Sequence, residues 1–371
     1  MRRRSGAAFA LLVVLCLPLL SLGGTPLAVD LRNGLAACPA NGCEIQLERG
    51  VYEIAEPIWI GRLGERTNGW KIRGRGRGIF SSGAQRTNCA TTLRYVGPYT
   101  NGAMVNVAST RYGAIEELCL DLNGRAAGDI EFHCTASTTN CGDFRVAVVS
   151  GGWPAGYPVT FGPRALPASD GQEHSWEAVT FDHYQQHYAE GAATMAPPRI
   201  GMHLGIRNAD HWHIQSSKLA FTGDGAGILV EAGNFTLIET IIRSDSEATS
   251  ESCAVKVESE SDRLAIIGLT TELKGQANGI CGCRPDGAGG CAPAIMAVSI
   301  TGSEIKVPKG STALDWRLGG SLALSGTVLG YHGAGEGRIG VHIEPTKQLQ
   351  LLDNFYRMSL LDVTIAGEVV R

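Results

Sequence analysis

The sequence predicts an all-β chain wound into a solenoid of stacked coils, and three observations carry that reading. Between Glu44 and Tyr95, four short segments (Ile45 to Ile54, Ile58 to Ile60, Trp70 to Gly76, Thr91 to Tyr95) alternate apolar and polar residues at a period of two. Each is too short for a helix and each is bounded by glycine-rich corners. The 371 residues include 49 Gly but only 6% aromatics, a composition suited to many corners and few bulky side chains. Aligning Trp212, Phe235 and Leu264 then gives an internal repeat of coil length. Strands this short do not stand alone; stacking the coils about 4.8 Å apart buries their apolar sides in register. A jelly roll is the alternative all-β stack.

Taken in order, Met1 to Arg4 with three Arg, an apolar run from Ala7 to Leu22 and a small-residue exit read as a signal peptide over residues 1–24. A membrane anchor is the rival, but the run contains Pro18 and is short for about 30 Å of hydrocarbon. A lipid anchor at Cys16 is disfavoured, since Val14 and Leu15 stand where small residues belong. The expected product is secreted, a single domain over residues 29–371. Val29 to Ala37 reads as a short capping helix that closes the exposed edge of the first coil. After the opening strands, Met104 to Leu122 makes another coil. Residues 125–171 break the pattern and read as a long loop, functional or mobile. Coils return from Trp176 to Ile266, residues 275–292 form a second glycine-rich loop, and Ile295 to Val370 completes the stack.

The opening segments carry a resemblance. Gly50, Tyr52 and Ile54, then Pro57, Ile58 and Ile60, then Ile72, Gly74 and Gly76, then Thr91 and Leu93 stand in an order that resembles the first coils of pectate-lyase-like proteins, phage tailspikes among them. The close match covers residues 44–95, with looser coils beyond. It implies a right-handed, single-stranded parallel β-helix. Proteins of this kind include lyases, hydrolases, epimerases and non-catalytic adhesins, so it implies the fold far more firmly than a reaction or a substrate.

Charge and cysteine bound the partners. The net charge is −4, and removing a leader with three Arg leaves 29 basic against 36 acidic residues. That balance argues against nucleic acid, which requires a basic surface. Ten cysteines follow the leader, an even number suited to disulfides in an oxidising compartment. Spacing suggests Cys38 with Cys43, Cys134 with Cys141, and Cys89 with Cys119 between coils; Cys253, Cys281, Cys283 and Cys291 supply two more bridges in an open pairing. Zinc at Cys281, Cys283 and Cys291 is the rival, although a one-residue gap is tight for it.

Candidate chemistry lies on polar faces of the coils. Gly74 to Gly78 and Gly223 to Gly227 look like phosphate loops but open no helix, and read as corners. Arg73, Arg75 and Arg77 form a basic stripe for an acidic glycan, or a solvated face. His211 and His213, beside Asp210, point one way along a strand, yet two imidazoles are not a metal site. Overlaying Phe181, Leu219, Ile242 and Thr271 stacks Asp182, Ala220, Arg243 and Glu272 in one outward column, with His183, Lys218 and Asp245 adjacent. In the families this chain resembles, such columns form the carbohydrate cleft. An ion-paired ladder, such as Arg243 with Glu272, is the alternative. For β-elimination, Arg243 or Lys218 would neutralise the uronate carboxylate or act as base, with Asp182 or Asp245 holding a calcium ion. Hydrolysis would instead use Asp182 and Asp245 as a carboxyl pair. The adjacent aspartates and the Gly-His-Gly and Arg-Ile-Lys pieces of polygalacturonase-like hydrolases are missing. The expectation is therefore a lyase acting on an acidic polysaccharide, ahead of a hydrolase or a binding-only adhesin.

Overall fold

The computed structural model describes residues 28–77, 89–134, 141–152, 161–165, 176–187, 198–205, 211–258, 263–288, 290–292, 297–318, 320–331, 339–343, 348–352, 355–357, 361–365 and 368–370. Residues 1–24, expected to be a signal peptide, lie outside them. The chain is a right-handed parallel β-helix with one described helix, α1 (Ala28–Ala37). A regular coil has three limbs, for example Trp212–Gln215, Lys218–Phe221 and Ala226–Val230. Among the described residues the first and second limbs share a 21-stranded sheet, and the third limbs form a 12-stranded sheet together with Glu368–Val370, which turns back antiparallel on Leu361–Ile365. Trp212 pairs with Phe235 and Phe235 with Leu264, the alignment expected from the repeat.

The corner between the first two limbs shows why so many short strands form one continuous stack. One residue there takes positive φ in successive coils: Glu117, Val148, His183, Ser216, Glu239, Gly268, Gly302 and Gly326. A single left-handed residue turns the chain while its amide stays in the ladder, as when Ser216 N–H donates to Ile238 and Glu239 N–H to Ile267. In several coils a buried Ser or Thr follows and donates its hydroxyl back across the turn, as do Ser217, Thr240, Ser303 and Thr327. Their polar groups are thereby satisfied inside the stack.

Few aromatics suffice because they cluster. Phe132 meets Phe144, Trp176 and Trp212 edge-on, with centroids 5.6, 5.2 and 5.4 Å away. At the start of the stack, Leu31 and Leu35 of α1 are buried on the first coil, as expected of a lid. Among the described residues no helix is long and apolar enough to cross a membrane.

Two loop expectations are corrected. Within residues 125–171, Ala126–His133, Cys141–Gly152 and Arg164–Ala165 are strands of the stack. Inward Ile130 and Phe132 alternate with outward Glu131 and His133, a strand signal that the flanking cysteines and glycines obscure. Within 275–292, Asn278–Gly282 is a third limb, and a small hairpin pairs Arg284–Pro285 with Cys291–Ala292. The disulfides join Cys38 to Cys43, Cys89 to Cys119 and Cys134 to Cys141 as the spacing suggests. The open four resolve into Cys253 with Cys281 and Cys283 with Cys291, which removes the zinc alternative.

Candidate functional site

Three of the four residues in the outward column expected from the overlay come together. Ala220 stacks on Arg243, and Arg243 on Glu272. Arg243 is ion-paired with Glu272, while its Nε is buried without a hydrogen-bond partner. Lys218 lies nearby on the same limb, its ammonium pushed down by burial and by the Arg243 charge, with Glu272 opposing. Asp182 is not in this column. It stacks on Gln215, one limb earlier, because Phe181 aligns with Ile214 and not with Leu219.

Asp182 belongs instead to a charged cluster at the corner. Arg145 donates to it at 2.9 Å and sits 3.3 Å from Glu116. Arg73 pairs with Glu117 at 2.6 Å, and the guanidinium of Arg77 donates to the carbonyl of His183. His183 Nδ1 lies 2.6 Å from the Asp182 carboxylate. Burial pushes the Asp182 carboxyl up, but hydrogen bonds from Arg145, His183 and Gln215 outweigh it, so its pKa is lowered. The basic stripe is thus tied down on the outside of the coils, with Arg75 held by Glu48 at 3.2 Å.

Asp245 is placed elsewhere again. It caps the turn after Ile241–Ser244, accepting from Thr222 Oγ1 at 2.8 Å and from the Glu247 amide at 3.1 Å, and burial raises its pKa. A corner and the strand Lys218–Phe221 separate its level from that of Asp182, so the two are not a facing pair. Nor do they suit calcium: one is bound to a guanidinium, the other to its own turn. Among the described residues no three His, Cys, Asp or Glu side chains converge as a metal site. Asp210 lies outside the described residues, and among the described residues no third ligand joins His211 and His213.

A further concavity lies on the other sheet. A cleft of about 880 Å³ opens between α1 and the first three third-limb strands, Ile58–Gly61, Thr100–Ala108 and Ala126–His133. Its floor is one outward column in which Trp59 stacks on Asn106, Asn106 on Glu131 and Glu131 on Arg164. Trp59 is 36% exposed, and its ring lies 5.2 Å from the ring of His133. His133 Nε2 is 3.0 Å from Asn106 Oδ1 and 3.4 Å from Glu131. Burial lowers the His133 pKa, and Arg164 adds to this against the pull of Glu131. An amide oxygen only accepts, so a neutral His133 donates Nε2–H to it and keeps its basic lone pair on Nδ1.

Glu131 is fixed from behind. Arg164 Nε donates to it at 2.7 Å, and the guanidinium carbon lies over the Phe161 ring, 3.5 Å from its centroid. At the mouth, Arg32 pairs with Glu56, and Arg62 pairs with Glu65 at 2.9 Å. Arg62 also donates to the Cys38 carbonyl, which ties the cleft wall to the end of α1. Sequence reasoning missed Trp59, Asn106, Glu131, His133 and Arg164 as one set. Trp59 was visible only as a strand residue, and Glu131 and His133 fell in a segment read as loop.

No family model matches the chain, and no curated protein matches it. Among solved structures it is similar to an endo-xylogalacturonan hydrolase from Aspergillus tubingensis, with 11% identity and a TM-score of 0.56 over 92% of this chain and 93% of that one. More distant is the catalytic unit of an alpha-1,3-glucanase from Streptomyces thermodiastaticus, with 10% identity and a TM-score of 0.41 over 91% and 67% of the two chains. A mannuronan C-5 epimerase A-module from Azotobacter vinelandii shows 11% identity and a TM-score of 0.34 over 95% and 96%. At such identity the likeness establishes the fold, and the chain is a right-handed parallel β-helix.

Proposed function

We propose that the chain is polysaccharide-active and that its glycan lies in the cleft on the third-limb sheet. The observation that carries this is the half-exposed Trp59 ring, set beside His133 above a polar column that runs along the stack. A sugar stacks its C–H face on such a ring while Asn106, Glu131 and His133 meet its hydroxyl groups. Polysaccharide-acting β-helix proteins, such as the xylogalacturonan hydrolase, share the fold and agree with this reading. Export fits five disulfides, which persist in oxidising compartments.

Hydrolysis suits this cleft better than elimination. It asks for a base to activate water and a carboxyl group to protonate the leaving oxygen. His133 answers the first requirement, and Glu56 or Glu65 at the mouth would meet the second only on release from Arg32 or Arg62. β-Elimination at Lys218 and Arg243 is the second reading, favoured by one observation: an ammonium whose pKa is depressed beside a guanidinium with an unsatisfied Nε.

Affinity electrophoresis and assays for new reducing ends or unsaturated uronate, on a panel of polysaccharides, separate the two. On the cleft reading, Trp59→Ala weakens glycan binding about tenfold at unchanged melting temperature, the usual worth of one aromatic contact. Arg243→Lys leaves binding and turnover as they were. Full binding by Trp59→Ala, with loss of uronate release in Arg243→Lys, would move the site to the second limb.

A further inference from the structure

We propose that the glycan held in this cleft is electrically neutral, a polymer recognised through hydroxyl groups and not through uronate carboxylates; the proposal rests on the cleft being the glycan site. The charges of the cleft are paired. Three guanidinium groups serve the cleft and each already faces a carboxylate: Arg32 on Glu56, Arg62 on Glu65 at 2.9 Å, and Arg164 on Glu131 at 2.6 Å. The imidazole of His133 is held toward its neutral form by burial. Among the described residues that line the cleft, Arg32 and Arg62 stand against Glu56, Glu65 and Glu131, and the charges balance once Arg164 behind Glu131 is counted, so no cation there faces the cleft without a carboxylate. Farther along the same face the pattern repeats, with His203 on Glu231 at 2.7 Å and Lys256 on Glu258 at 2.8 Å.

A polymer of uronates would have to share a guanidinium with its glutamate, setting two carboxylates against one cation. Glu56 and Glu65, whose side chains are 59% and 60% exposed at the mouth, would repel it before contact. A hydroxyl group meets neither obstacle. It both donates and accepts, so it bonds to the unused N–H of an arginine and the unused lone pair of its glutamate without breaking the pair. Stacking on Trp59 requires no charge either. The basic residues Arg73 and Arg75, which suggested an acidic partner from sequence, are paired with Glu117 and Glu48 on the other sheet.

The test runs the full chain through gels containing neutral polysaccharides and the same polymers oxidised at their primary alcohols to uronates. We expect retardation by at least one neutral polymer and an apparent affinity for its oxidised form weaker by about tenfold or more, the direction set by like charges at the mouth. Binding of the neutral polymer should change little with added salt. Glu56→Gln combined with Glu65→Gln frees two guanidinium groups and should narrow the gap several-fold. Wild-type protein that prefers the oxidised polymer would overturn the neutral assignment and leave the cleft standing. Retardation by no polymer of either kind would overturn the glycan site itself, and this inference with it.

Discussion

Asp129 is buried completely, and its carboxyl group is raised by burial from 3.8 to about 7, with hydrogen bonds from the Tyr184 hydroxyl and the Ile130 amide holding it back only in part. The same burial pushes the Tyr184 phenol well above its ordinary value. Gln186 extends the polar interior, donating to the Gly201 carbonyl at 2.6 Å and accepting from the Ala220 amide at 2.8 Å. The network thus links both sheets across several coils. Because the folded pKa of Asp129 lies above the unfolded one, folding favours the protonated form. Below about pH 4 both states carry the proton and ionisation costs nothing; between there and about pH 7 stability falls as pH rises, by at most about 4 kcal/mol. Asp129→Asn keeps an acceptor for Tyr184 and removes the ionisation. Relative to wild type, the variant should therefore gain stability on going from about pH 4.5 to about pH 8, read from melting temperatures. An equal offset at both pH values would show that Asp129 does not carry this dependence.

The corner between the first and second limbs is the element on which stacking depends, and it sets a prediction of its own. Gly268 has φ of +66°, and a Cβ there would make only ordinary contact with Glu239 at 3.6 Å. Gly268→Ala therefore tests backbone strain with little steric clash, and it should cost about 1 kcal/mol in denaturant unfolding because an L side chain resists the left-handed region. Glu239→Gly, one coil earlier at φ of +47°, should be neutral or slightly stabilising. A gain from Gly268→Ala with a loss from Glu239→Gly would mean that glycine entropy, and not strain, dominates the corner. This element also explains what could be read from sequence. Thr91–Tyr95 is a strand as expected, and the alignment of Trp212, Phe235 and Leu264 is the true register, because large apolar side chains recur there at one limb. The placement of Asp182 failed for the same reason. Each coil has two apolar strands in succession, and in the coil of Asp182 the second limb, Gln185–His187, has the polar Gln186 inside. An overlay guided by apolar residues skips such a limb and moves Asp182 from the first to the second. The cleft was less legible still, since Trp59, Asn106 and Glu131 come together through coils of unequal length, and only the strand register reveals them as neighbours.

At the scale of the whole molecule, every interior coil is covered by a neighbour on each side, whereas the first would present an open core and unpaired backbone. Helix α1 meets that need through Leu31 and Leu35, which are 3% and 4% exposed, and the Cys38–Cys43 disulfide fastens its end to the strand Asn41–Gln46. The lid is also a wall of the cleft, since Arg32, Leu35 and Ala36 line it and Arg62 reaches the Cys38 carbonyl. Stability of the open end and shape of the site are therefore coupled. Leu35→Ala should cost about 3 kcal/mol, the usual loss for truncating a buried leucine, and it should also weaken glycan binding and raise light scattering on warming as the first strands become exposed. Leu324→Ala provides the comparison. Leu324 is 1% exposed, deep in the stack and far along the chain from the cleft, so its truncation should reduce stability by a similar amount while glycan affinity stays at the wild-type value. Denaturant midpoints and affinity electrophoresis on the two variants separate the effects. Equal loss of affinity in both would mean that binding follows global stability alone, and unchanged stability in Leu35→Ala would mean that the first coil holds its shape without the helix.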